Sequence, residues 1–124
     1  SKYFAPGNLR STCGNKKYLD LLQKCISESR TLRYSGGMVP DLHHILSKGQ
    51  GIFSYPRDKK HTNGKLRLLF ECAPFSLIFE EAGGASLNQE GQPVLDTKIE
   101  EIHQRTPIFV GSSQEVRRAV DALK

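Results

Sequence analysis

Between Leu66 and Ala82 the chain carries Leu68, Leu69, Phe70, Cys72, Phe75, Leu77, Ile78 and Phe79. A helix drawn through this stretch is apolar on most of its sides, so other elements must cover it. Pro74 falls near its start, where a missing N–H costs least, and Gly83-Gly84 ends it. The pattern predicts a central helix over 66–82 packed between layers, and the rest of the chain has to supply those layers.

Strand and helix signals alternate on both sides of it. Residues 1–5 read as a short strand closed by the turn signal Pro6-Gly7-Asn8. Tyr18, Leu21, Leu22, Cys25 and Ile26 recur at helical spacing, predicting a helix over 17–29. A second helix is expected over 40–48, with Leu42, Ile45 and Leu46 on one side, Pro40 and Asp41 in its first turn and Gly49 as its stop. Residues 51–55 read as a strand ended by Pro56. A polar loop with an Asn63-Gly64 turn leads into the apolar stretch. Short strands over 85–87 and 107–111 follow, and Ser112-Ser113 is expected to cap a last helix through Leu123, with Glu115 in its first turn. This alternation argues for a layered α/β domain, and 124 residues suit one such domain. The abrupt entry at Ser1 into Tyr3-Phe4-Ala5 reads as a piece of a longer chain.

Charge narrows the partners. The net charge of +5 favours anionic ligands. The Lys and Arg residues are scattered among acids without the basic stripe and interleaved aromatics of a nucleic-acid surface, and phosphorylated small molecules are an equally good reading of the charge. Cys13, Cys25 and Cys72 are odd in number and lack CxxC spacing, which speaks against a disulfide framework or a zinc site and for a reducing compartment. No apolar run approaches the ~20 residues of a membrane span, and the start carries no secretory signal.

Two constellations carry chemistry. In Lys65-Leu66-Arg67-Leu68-Leu69-Phe70-Glu71, a helix beginning near Leu66 puts Arg67 and Glu71 one turn apart on one face. From periodicity alone the favoured reading is an ion pair with Lys65 solvated. The alternative makes Glu71 a metal ligand, with Arg67 and Lys65 gripping phosphate. In Arg33-Tyr34-Ser35-Gly36-Gly37-Met38, two glycines permit close backbone approach, and the helix start beyond them offers free N–H groups to an anion. A Gly-Gly before a helix is a weak signal by itself, and a plain Gly-Gly turn with an exposed arginine is the favoured reading of that segment. Tyr55 reads as a half-buried packing residue, and His43, His44, His61 and His103 as structural or solvated. Asp96, Glu100 and Glu101 read as surface charges, and Cys72 as an inert buried thiol.

The run from Leu66 to Pro74, with Glu81-Ala82-Gly83-Gly84, resembles the signature of the fructose-1,6- and sedoheptulose-1,7-bisphosphatase family. So do Leu32 to Asp41 upstream, and Val94-Leu95-Asp96, His103-Gln104-Arg105 and Gly111-Ser112 downstream. The resemblance runs in order along nearly the whole chain. It implies that residues 1–124 are the C-terminal, sugar-phosphate-binding domain of such an enzyme, an α/β/α layered domain with a mixed central sheet. The N-terminal half, with its acidic metal cluster, is then missing.

The same resemblance implies roles for single residues. Glu71 stands where a carboxylate binds the catalytic divalent metal, Mg²⁺ or alternatively Mn²⁺. Arg67 would contact the phosphate being cleaved, and Lys65 the sugar. Tyr34 and Tyr55 match donors to the uncleaved phosphate. Arg33 matches an arginine given across a subunit interface of a homo-oligomer, and Gly37 and Met38 lie at a backbone contact to the sugar. Asn8 falls in the place of a phosphate loop, although the sequence departs from the fructose type there. The implied reaction is metal-dependent hydrolysis of the 1-phosphate of a ketose bisphosphate by the complete enzyme, this segment alone being inactive. Phe4 to Arg10 and Gly36 to Asp41 look like the sedoheptulose type. Tyr55-Pro56, Asn63-Gly64-Lys65 and Ile102 to Arg105 look like the fructose type. The balance leans to sedoheptulose, with a non-catalytic sugar-phosphate-binding domain as a further alternative. Such an enzyme is expected in the plastid stroma or the cytoplasm.

Overall fold

The computed structural model describes residues 2–124, so the expectation for Ser1 lies outside the described residues. In chain order the elements are β1 (Tyr3–Pro6), α1 (Lys16–Ser27), β2 (Thr31–Leu32), α2 (Met38–Lys48), β3 (Gly51–Tyr55), β4 (Leu66–Arg67), α3 (Ala73–Glu81), β5 (Ala85–Leu87), β6 (Arg105–Thr106), β7 (Ile108–Gly111) and α4 (Ser113–Ala122). Five strands form one mixed sheet in the order β2-β1-β3-β7-β5. β1 runs parallel to both β2 and β3, with Phe4 opposite Ile52 and Leu32. β7 is antiparallel to β3 and to β5.

Alternation along the strands builds the layers, because successive side chains leave a strand on opposite faces. Phe4, Ile52 and Phe109 point to one face and join Tyr18, Leu21, Leu22 and Cys25 of α1 and Val116, Ala119 and Val120 of α4. Ala5, Phe53, Ile108 and Val110 point to the other face and join Leu42 and Ile45 of α2, Leu68, Cys72, and Phe79 of α3. Each fully buried side chain of this size contributes about 1.5–3 kcal/mol, so the two cores hold the three layers together. Tyr18 fastens one face to the sheet: its buried hydroxyl hydrogen-bonds to the Gly7 carbonyl and to Ser54 Oγ, each at 2.9 Å. No helix among the described residues is long and apolar enough to cross a membrane.

The expected α/β/α arrangement with a mixed sheet is therefore present, with local corrections. The helix expected over 66–82 is three things in succession. Leu66-Arg67 is extended and pairs antiparallel with Arg105-Thr106, residues 68–72 form one π turn, and the α-helix begins only at Ala73. A π turn widens the ladder to i→i+5 bonding, and Leu68 and Cys72, four residues apart on one face, both enter the core. The stretch is also not covered all round: Phe70, Leu77 and Ile78 are exposed. Pro6 belongs to β1 rather than to the turn after it. α1 stops at Ser27, and Ser29 takes a left-handed conformation with φ 58°. α2 starts two residues earlier than Pro40, after Gly37. Ser112 stands at the start of α4, but its hydroxyl accepts from the Gly51 N–H at 3.0 Å instead of capping the helix. The fully buried Cys72 thiol has its pKa pushed up by burial.

An acid-sensitive clasp ties the residue before β1 and the α1–β2 connection to α4. The largely buried Glu115 carboxylate pairs with Lys2 at 3.1 Å and with Arg30. Burial alone would raise its pKa, but the hydrogen bonds from Lys2 and Arg30 outweigh this and hold it below the usual carboxylate range. The hydrogen bond from Arg118, assisted by Arg30, holds Glu28 down at about 2. A carboxylate whose folded pKa is depressed stabilises the fold above its unfolded pKa and loses that contribution as pH falls through the folded value. Stability is thus expected to be flat above roughly pH 5 and to fall progressively towards pH 2. Denaturant melts at pH 6, 4 and 3 check this; Glu115→Gln should flatten the acid limb, and an unchanged limb refutes the clasp.

Candidate functional site

In sheets of this kind, loops that follow the carboxyl ends of parallel strands gather at one edge and bind ligands there. Here the three mutually parallel strands end at Leu32, Pro6 and Tyr55. The segments that follow them supply most of the lining of a cavity of about 780 Å³, including Tyr34, Asn8, Arg10, Asn15, Arg57, Asp58, Lys59, Lys60 and His61, joined by Tyr55, Lys65 and Gln89. Among the described lining residues the only carboxylate is Asp58, and it is already occupied. It accepts the N–H groups of Lys60 (2.9 Å) and His61 (2.7 Å), and its Oδ1 lies 3.1 Å from His61 Nδ1. Desolvation opposes its ionisation, but hydrogen bonds from Asn8 and His61 keep its pKa lowered. A cavity so rich in Lys and Arg attracts anions.

The backbone at the floor is tightly held. Asn8 has φ 53°, a left-handed conformation that Asn tolerates, and its Nδ2 donates to the Pro56 carbonyl at 2.9 Å. The Asn8 amide therefore joins the two strand-end loops. Gly7 donates to Ser54 O at 2.8 Å and lies against the Tyr55 ring, where an added Cβ would overlap it. Gly64, at φ 84°, packs its Cα against the Thr106–Pro107 backbone; any side chain there would collide and displace the neighbouring Lys65.

Two phenols face this cavity. Tyr55 is half-buried and stacks on Phe53 with centroids 6.5 Å apart. Its pKa is raised chiefly by burial and further by Tyr34, Asp58 and Glu71, against which Arg10 lowers it. Tyr34 is raised by burial and by the Asp41 carboxylate. Both therefore remain O–H donors at neutral pH. Asp41 is buried, and its Oδ1 accepts the Ser35 N–H at 2.8 Å, which anchors the loop carrying Tyr34 to the first turn of α2.

The remaining candidates lie apart. Glu71 Oε1 accepts both the Arg67 backbone N–H (3.0 Å) and Arg67 Nε (3.3 Å), so the ion-pair reading of these two residues holds geometrically. Arg67 also lies 5.0 Å from the centroid of the Phe70 ring. Neither Arg67 nor Glu71 lines the cavity, though the Glu71 charge is felt at Tyr55. Arg33 turns away, its guanidinium donating to the Leu32 carbonyl and lying 6.0 Å from the Tyr3 ring centroid. Gly37 caps α2 and donates to Ser35 Oγ, and Met38 packs against the α2–α3 core. Of the residues singled out from sequence, the cavity brings together Asn8, Tyr34, Tyr55 and Lys65. It adds Arg10, Arg57, Asp58, Lys59 and Lys60, to which sequence reasoning gave no role, and His61, which it read as structural or solvated; for residues 57–61 the density of charge directly after a strand is the available signal, and Arg10 has none of that kind. Among the described residues no group of three His, Cys, Asp or Glu side chains could hold a metal ion. Glu71 alone does not fit Mg²⁺, which takes octahedral oxygen ligation.

Comparison with known proteins agrees with this architecture. Residues 1–124 match the family model for the fructose-1,6-bisphosphatase C-terminal domain. The class 1 fructose-1,6-bisphosphatase of Campylobacter concisus is 46% identical over 115 residues, covering 89% of this chain and 40% of that protein. A Toxoplasma gondii structure described as a sedoheptulose-1,7 bisphosphatase superposes with TM-score 0.92 at 35% identity, covering 99% of this chain and 37% of that one. The Leishmania major fructose-1,6-bisphosphatase in its holo form superposes with TM-score 0.83 at 39% identity, over 98% and 39% of the two chains. The chain thus spans about two fifths of the length of these relatives. With sequence and fold agreeing from end to end, the chain belongs to the family of fructose-1,6-bisphosphatase C-terminal domains.

Proposed function

We propose that this chain is the sugar-phosphate-binding domain of a sugar bisphosphatase, acting with an N-terminal half of the same protein. The observation that carries the reading is the convergence of Tyr34, Tyr55 and Lys65 on one cation-rich cavity at the carboxyl ends of the parallel strands. Two neutral phenols donate hydrogen bonds to the oxygens of the uncleaved phosphate, and Lys65 supplies a mobile positive charge beside the sugar. Arg67, two residues along the chain from the cavity-lining Lys65, contacts the phosphate that is cleaved, and Glu71 beside it would hold the cation. In the reaction a water oxygen bonds to phosphorus as the phosphorus–oxygen bond to C1 breaks, and the departing sugar oxygen takes up a proton. A divalent cation, Mg²⁺ or Mn²⁺, is the cofactor in this reading. The chain offers it one carboxylate, Glu71, and the remaining ligands belong to the partner half. Arg33, pointing away from its own cavity, suits a homo-oligomer in which it serves a neighbouring subunit.

For the substrate, sedoheptulose 1,7-bisphosphate is supported by the Phe4–Arg10 and Gly36–Asp41 motifs and by the likeness to the Toxoplasma structure. Fructose 1,6-bisphosphate is the second reading, favoured by the names of the curated relatives. One carbon of length is a modest discriminator, about 1–3 kcal/mol in a fitted pocket, so both sugars are expected to react. The test is phosphate release from each bisphosphate with Mg²⁺, comparing the full-length protein with this chain alone. Turnover by the full-length protein only is expected, and the rate ratio ranks the substrates. Turnover by neither reduces the chain to a binding domain.

A further inference from the structure

Most arginines of this chain are already engaged. Arg30 pairs with Glu28 and Glu115, Arg57 with Glu90, Arg67 with Glu71, and Arg118 with Glu28. Arg33 donates to the Leu32 carbonyl and Arg105 to the Lys65 carbonyl. Among the described residues, Arg10 and Arg117 alone have no acceptor, and of these only Arg10 lines the cavity. The two therefore differ in the property that matters: Arg117 is a solvated charge on α4, whereas Arg10 stands over a concave, cation-lined site without a counter-ion.

Arg10 is also carried on a backbone that cannot swing freely. It is the second residue of a short 3₁₀ turn, Leu9–Cys13. Ser11, buried, donates its hydroxyl to the Asn8 carbonyl at 2.8 Å, and Thr12 Oγ1 donates to the Leu9 carbonyl at 2.6 Å. Asn8 anchors the entry of the turn to Pro56, and Gly14 N–H closes its exit on the Ser11 carbonyl at 3.1 Å. With the backbone of the turn held by these bonds, the ordering cost of binding falls on the Arg10 side chain rather than on a loop. Tyr55 lines the same cavity, and the guanidinium charge acts on its phenol.

Resting on the reading of this cavity as a sugar-phosphate site, we propose that Arg10 is a direct ligand of the uncleaved phosphate, forming a planar two-point contact with oxygens that Tyr34 and Tyr55 reach from the other residues of the wall. Guanidinium matches phosphate geometry in a way that the lysines of the same cavity do not. Because Arg10 is exposed and makes no intrachain bond, its truncation leaves the fold unchanged.

The test is calorimetric titration of sedoheptulose 7-phosphate and fructose 6-phosphate into the full-length protein and its Arg10→Ala, Arg10→Lys and Arg117→Ala variants. Monophosphates keep the chemistry silent, and inorganic phosphate as competitor reports the phosphate end. Arg10→Ala is expected to weaken both sugar phosphates about tenfold with an unchanged melting temperature, the loss of one charged hydrogen-bonding group. Arg10→Lys should recover part of the loss, and Arg117→Ala should bind like the unaltered protein. If the unaltered protein binds and Arg10→Ala binds within about twofold of it, the role of Arg10 is overturned while the site reading stands. If the unaltered protein binds neither sugar phosphate, both fall.

Discussion

Glu71→Gln in the full-length protein is expected to lower phosphate release by about two to three orders of magnitude, because a neutral amide would hold the divalent cation less well and that cation would supply several kcal/mol of stabilisation at the reacting phosphate. The substitution is chosen because it isolates charge from structure. Glu71 Oε1 holds the Arg67 N–H at the entry to the π turn, and a glutamine carbonyl oxygen accepts that bond equally. What disappears is one negative charge and the ionic part of the contact with Arg67 Nε, at 3.3 Å with both side chains about a third exposed. Pairs that exposed contribute little to stability, about 0–1 kcal/mol, so the melting temperature should scarcely move. Phosphate-release rates and thermal melts on the same preparations read the two effects separately. A variant that turns over normally shows Glu71 to be only the partner of Arg67.

Phe109→Ala should have the largest effect on folding. Phe109 is fully buried in β7, in one core with side chains of α1 and α4, and β7 bonds on both sides, to β3 and β5. Removing a ring from such a site costs about 3–5 kcal/mol in transfer and cavity terms. Domains of this size are stable by only about 5–15 kcal/mol, so the melting temperature should fall by more than about 10 °C. Leu77→Ser is the matched control: Leu77 is apolar by sequence and half exposed, so the same measurement should show little change. Equal losses at the two positions would contradict the layering described above.

The contrast between those two residues shows what could be read from sequence. β3 and β7 were legible because alternation along each strand feeds both faces of a sheet covered on both sides, giving continuous apolar runs bounded by Gly and Pro. The stretch 66–82 was not, because an extended pair, a π turn and an α-helix all read as one apolar run, and periodicity does not separate them. β2, β4 and β6 have two residues each, too short to carry a period. Ser112 looked like a cap by residue type, and only the approach of Gly51 redirects its hydroxyl. The Arg67–Glu71 contact was legible because four-residue spacing is local. The cavity was legible only in pieces: Arg10, Tyr34 and Lys59 come from loops far apart in sequence, and nothing local to any of them says that the loops meet. Family resemblance bridged part of that distance for Tyr34, Tyr55 and Lys65.

The Tyr18 hydroxyl has a dynamic consequence. It bonds at once to the Gly7 carbonyl beneath the cavity and to Ser54 of the central strand, while the adjacent Gly7 N–H bonds to the Ser54 carbonyl. Opening the backbone around Gly7 therefore means breaking bonds that also hold α1 on the sheet, so native-state hydrogen exchange is expected to show the two opening as one cooperative unit. Such a floor is already set before a ligand arrives, and the ordering that remains on binding is confined to side chains along the wall.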